Sequence, residues 1–167
     1  MNKQIILETI RKEFLIKENS KYDNYKKNWN YAGNSYTDLT IEEPLKIKTW
    51  TFPNQNGFYL EFFFNNTLIG HYHSFYDQDD GFMNDMEIKD DYQNKGFGKI
   101  LLLSAIDVGN NYMGFFSSDT RWLAPNQSKI YIYLKKENII SDNDEIIDYD
   151  KANKLISIIT EKNLTSK

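Results

Sequence analysis

The chain has 167 residues, a formal net charge of −4 and no cysteine, with 40% hydrophobic and 26% charged residues. That length and balance specify an ordered domain with a sizeable core, and they exclude disulfides and thiolate metal sites. The acidic balance argues against a surface that tracks phosphates, so no nucleic-acid partner is expected; a cationic small molecule or peptide suits it better.

Acidic residues interrupt the N-terminal sequence before a signal peptide could form, and no apolar run reaches the length of a membrane span. A cytoplasmic protein with no membrane partner is therefore expected. In residues 3–17, Ile6, Ile10 and Phe14 recur at helical spacing and predict an amphipathic helix. Residues 19–38 are rich in Asn, Lys and Tyr and predict a short second helix followed by a loop.

Strands are predicted from Ile47 to Phe52, Phe58 to Phe64 and Thr67 to Tyr76, with Asn65 and Asn66 as a tight hairpin turn. A polar loop over 77–81 leads to a further strand, Phe82 to Ile88, completing an antiparallel meander. A helix follows from Lys99 to about Val108, closed by Gly109, Asn110 and Asn111. Met113 to Ser118 then reads as a short buried strand, and strand, helix and strand in this order predict a parallel crossover. Asn126 is placed to cap a helix running to about Lys136. Near the C-terminus, Leu155, Ile156, Ile158 and Ile159 fit either a strand or a helix.

The stretch from Met86 to Ile106 carries most of the functional information. A strand ends at Ile88, turns through Asp90 and Asp91, passes Gly96 and Gly98, and enters an apolar helix. Converging loop amides and a helix start together make an anion site. The segment Ile88-Lys-Asp-Asp-Tyr-Gln-Asn-Lys-Gly-Phe-Gly-Lys99 resembles the acetyl-CoA loop of the GNAT N-acetyltransferase superfamily. Two flanking features are similar to that family as well: the meander containing Leu68-Ile69-Gly70, and the later helix with Ser128, Tyr131, Tyr133 and Leu134. The resemblance is strongest over 45–140. It implies that residues 1–167 form a single GNAT-like domain of α/β class (α+β type). Its central sheet would be mixed and mostly antiparallel, with flanking helices.

The resemblance implies transfer of an acetyl group from acetyl-CoA, a co-substrate, to a primary amine of a small molecule, peptide or protein, with no metal. The coenzyme would be held by Met86 and Ile88 on the strand, by Gln93, Asn94, Lys95, Gly96, Phe97, Gly98 and Lys99 in the loop, and by Asn126 and Ser128 on the later helix. A tyrosine on that helix would protonate the departing thiolate. Spacing from Asn126 selects Tyr133, whereas alignment through Leu134 selects Tyr131. Asp85 and Glu87 share a strand face and are the candidate bases.

His71 and His73 also share a face and would border the acceptor site; as a metal pair they have no clear third ligand. Asp77-Gln-Asp-Asp-Gly81 resembles a calcium loop only superficially, because Ile88 stands where the bidentate Glu belongs. Asn138-Ile139 occupies the place of the family's usual Gly-Phe. That departure and the tyrosine-rich N-terminal segment motivate an alternative, a catalytically silent GNAT-fold protein that binds CoA or a protein partner. Arg121 and Trp122 are placed to meet either an acceptor or the second copy in a homodimer.

Overall fold

The computed structural model describes residues 23, 26–77, 81–116 and 125–166. The predicted helix over 3–17, the polar loop tip at 78–80, and Arg121 and Trp122 lie outside them. Five strands form one sheet in sequence order: β1 (Asn30–Gly33), β2 (Leu45–Thr51), β3 (Gly57–Phe64), β4 (Thr67–Asp77) and β5 (Gly81–Ile88). Every neighbouring pair is antiparallel. Asn65 and Asn66 both take left-handed conformations, φ 48° and 61°, as a two-residue hairpin turn requires.

Alternation along the strands gives the sheet two different faces. Leu45, Ile47, Phe58, Leu60, Phe62 and Tyr72 point inward and are buried, most of them beneath helix α1 (Phe97–Met113). That helix buries Phe97 and every residue from Ile100 to Gly109, which explains its nearly all-apolar sequence. Helix α2 (Pro125–Lys136) packs on one side of α1. Helix α3 (Tyr149–Thr165) lies on the other and runs antiparallel to α1: Tyr149 meets Asp107, and Ile159 meets the loop before Phe97.

Four expectations are corrected. Residues 30–33 form a strand, not a loop. Gly109 does not close α1; it sits inside the helix because Phe116 packs where a Cβ would be, 2.6 Å away, and Gly114 at φ 79° ends the helix instead. Met113 is therefore helical, Phe115 and Phe116 are outside any strand, and the sheet is wholly antiparallel among the described residues. Helix α2 starts at Pro125, so Asn126 stands in its first turn and does not cap it.

The ambiguous tail resolves as helix α3, capped by the Asp148 carboxylate, which accepts from the Lys151 amide. The Asn138-Ile139 departure is structurally mild. Asn138 takes φ 52°, its amide donates to Lys135 and the Ile139 amide to Leu134, closing α2 in a Schellman turn. Asparagine here serves the backbone role that glycine usually fills.

Candidate functional site

Strand β5 is the edge of the sheet as described. The Lys89 amide donates to Ile69, and the pairing is in register with Gly70 opposite Ile88 and Tyr72 opposite Met86. In an antiparallel ladder every second residue bonds its neighbour, so Asn84, Met86 and Ile88 turn their amides and carbonyls toward the open edge. Two side chains already use that edge. The Gln93 amide group donates to the Ile88 carbonyl at 2.8 Å, and the Gln127 amide group to the Met86 carbonyl at 3.3 Å.

The turn after β5 is tied down locally. Gln93 also donates to Asp90 at 3.1 Å, and the Tyr92 and Gln93 amides donate back to Lys89 and Asp90. Among the described residues, the amides of Asn94, Lys95, Gly96, Phe97 and Gly98 make no backbone hydrogen bond. Five consecutive donors at the start of a helix form an anion cradle. Gly96, at φ 92°, lets the chain reverse into the helix. Gly98 faces α2: a Cβ there would stand 3.0 Å from Ile130 and 4.0 Å from Met86. Helix α3 braces the cradle from behind, since Ile159 packs under Gly96 and Asn163 donates to the Lys95 carbonyl at 3.0 Å.

Between β5, the loop and α2 runs a cleft of about 510 Å³. It brings together Met86, Glu87, Ile88, Gln93, Asn94, Gly96, Gly98, Lys99 and Asn126 from the sequence-based set, and adds Tyr92, Gln127, Lys129 and Ile130. Other members of the set lie elsewhere. Phe97 is 1% exposed and packs its ring against Phe62, Phe64 and Tyr92, so it offers the cleft only its amide. The Lys95 ammonium rests over the Tyr92 ring. Ser128 does not line the cleft.

The two tyrosines occupy different environments. Tyr131 is buried in the core beside Tyr72, whose hydroxyl is pushed well above its ordinary pKa by burial first and by Tyr131 second. Tyr133 is half-buried one helical turn beyond Ile130, with the Lys99 ammonium 3.9 Å above its ring. Lys99 joins it to the cleft wall.

Asp85 and Glu87 project from the other face of β5 and are mostly exposed. His71, on β4, sits between them with Nε2 3.6 Å from Asp85 and 3.9 Å from Glu87. His73 is one register step away, opposite Asp85, and stacks near Phe75. Among the described residues, no group of three or more His, Cys, Asp or Glu is placed to hold a metal. None of the described helices is long and apolar enough to cross a membrane.

Sequence reasoning missed Gln127 and Lys129, which periodicity alone assigns to an exposed helix face. It also passed over Glu61, although a single acid inside Phe-Tyr-Leu-Glu-Phe-Phe-Phe is a signal in its own right.

Comparisons with curated proteins and with solved structures return no match. The family model described as the acetyltransferase (GNAT) family matches residues 21–135, which include all five strands, the glycine loop, α1 and nearly all of α2. The chain therefore belongs to the GNAT acetyltransferase family.

Proposed function

We propose that the protein is an N-acetyltransferase that moves an acetyl group from acetyl-CoA directly to a primary amine. The observation that carries this reading is the cleft itself, with five free amides at one end and the open edge of β5 along one wall. The amides of residues 94–98 suit the pyrophosphate, with Lys99 adding charge. The Met86 and Ile88 backbone groups suit the amide-bearing arm that leads to the thioester. The Ile88 amide is the donor for the oxyanion that forms on the carbonyl.

In the transfer, the unprotonated amine nitrogen forms the C–N bond as the C–S bond breaks. One proton leaves the nitrogen and one goes to the thiolate. Glu87, which borders the cleft with Asp85 and His71 nearby, is the base in this reading, acting directly or through one water. Tyr133 is the acid. Tyr131, held in the core against Tyr72, serves packing.

Thiol release from acetyl-CoA across a panel of primary amines tests the reading. It predicts amine-dependent release with at least one acceptor. Coenzyme binding with no release for any amine would reject catalysis and favour a silent CoA-binding protein.

A further inference from the structure

The open edge of β5 is not bare. The Met86 and Ile88 carbonyls on it each accept from a glutamine side chain, and the two glutamines are held very differently. Gln93 stands in the same turn as Ile88, bonds it at 2.8 Å and is anchored by Asp90 at 3.1 Å. Gln127 reaches Met86 from helix α2, across the cleft, through one bond of 3.3 Å. Its side chain makes no other hydrogen bond among the described residues.

Little else holds that part of α2. Its buried residues are Tyr131 and Leu134, both in the second half of the helix. The first half rests on the cleft through Gln127 and Ile130, which are neighbours on one helix face. The Ile130 and Met86 side chains both end within 4.0 Å of where a Gly98 Cβ would stand, so they meet over that glycine. A half-helix that buries no side chain opens locally far more readily than the core behind it.

We infer that Gln127 is a latch. In the ligand-free protein it holds the first half of α2 against β5 and covers the carbonyl that the coenzyme arm requires. An amide N–H of the arm takes the Met86 carbonyl, Gln127 swings out, and the start of α2 parts from β5. Gln93, bonded twice within its own turn, stays in place. The inference rests on the N-acetyltransferase reading and assigns Gln127 a role in it: a ligand opens the cleft only if its arm replaces the glutamine's hydrogen bond. A nucleoside diphosphate has the pyrophosphate but no arm, so it fills the amide cradle and leaves the latch closed.

Hydrogen exchange read by NMR on the whole protein, wild type and Gln127→Ala, tests this. In the free protein the amides of residues 129–132 should exchange about fivefold faster in the variant, the scale of one net hydrogen bond. Saturating acetyl-CoA should abolish that difference, because neither complex makes the bond; ADP should leave it. By calorimetry Gln127→Ala should bind acetyl-CoA about fivefold tighter and ADP unchanged. Gln127→Asn, whose amide is one methylene too short to reach, should behave as Gln127→Ala does. Alanine favours a helix and asparagine disfavours it, so a shared effect is not helix propensity. Equal exchange in the free proteins, a difference that survives acetyl-CoA, or unchanged or weaker acetyl-CoA binding by Gln127→Ala would overturn the latch and leave the transferase reading standing. A difference abolished equally by ADP would overturn it too. No acetyl-CoA binding by either protein would reject the transferase reading and the latch together.

Discussion

Gly98 sits where α1 and α2 come closest to the cradle, with Ile130 only 3.0 Å from the position of a Cβ. Gly98→Trp should therefore fill the cleft and abolish acetyl-CoA binding while circular dichroism stays native; unchanged affinity would count against the loop as the coenzyme site. The tyrosines separate by the same logic. Tyr133→Phe should lower kcat by about a hundredfold with little effect on coenzyme affinity, the usual size of a lost general acid. Tyr131→Phe should leave kcat nearly intact and lower stability. Equal kcat losses for the two variants would contradict the assignment. In the sequence, spacing from Asn126 selects Tyr133 and alignment through Leu134 selects Tyr131. The burial of Tyr131 beside Tyr72, on which the proposal of Tyr133 leans, depends on how α2 meets the sheet and is not legible there.

At the scale of elements, the meander, the hairpin turn and the glycine loop were legible because each has a local cause: period-two alternation, paired asparagines, a strand–turn–helix pattern. Helix α1 was read too short because its Gly109 is a packing glycine, and only the ring of Phe116 reveals that. The α3 segment stayed undecided because isoleucines suit strands by propensity and this helix by their burial pattern, with Ile156 and Ile159 inward and Ile158 out. Its contact with the cradle was invisible from sequence, since Asn163 and Lys95 are far apart along the chain. Asn163→Ala removes the bond to the Lys95 carbonyl. It should weaken acetyl-CoA binding several-fold, in line with about 1 kcal/mol for one hydrogen bond. A titration matching wild type would show that α3 does not support the loop.

For the molecule as a whole, Asp107 fastens three segments. It is 1% exposed and accepts from the Thr37 hydroxyl, the Asp38 and Leu39 amides, the Tyr149 hydroxyl and the Asn111 side chain. Asp107→Ala leaves those donors unmatched and should cost about 3 kcal/mol in denaturant unfolding. Burial and then Asp107 raise the pKa of Tyr149 above its ordinary value, and burial raises those of Tyr72 and Tyr112 as well. A raised folded pKa means the unfolded chain gives up its proton first. The stabilisation is therefore complete below about pH 10 and is lost as pH climbs through the folded values. Tyr149→Phe should flatten that alkaline decline, and a profile as steep as wild type would exclude Tyr149 as a contributor.

In the proposed reading, the loop from Gln93 to Lys99 and the edge of β5 together bind an acyl-coenzyme A, and isothermal titration of the protein with acetyl-CoA is the decisive measurement. Saturable one-to-one binding at micromolar concentration, absent in Gly98→Trp, is the predicted result. No heat of binding up to high micromolar coenzyme would contradict it.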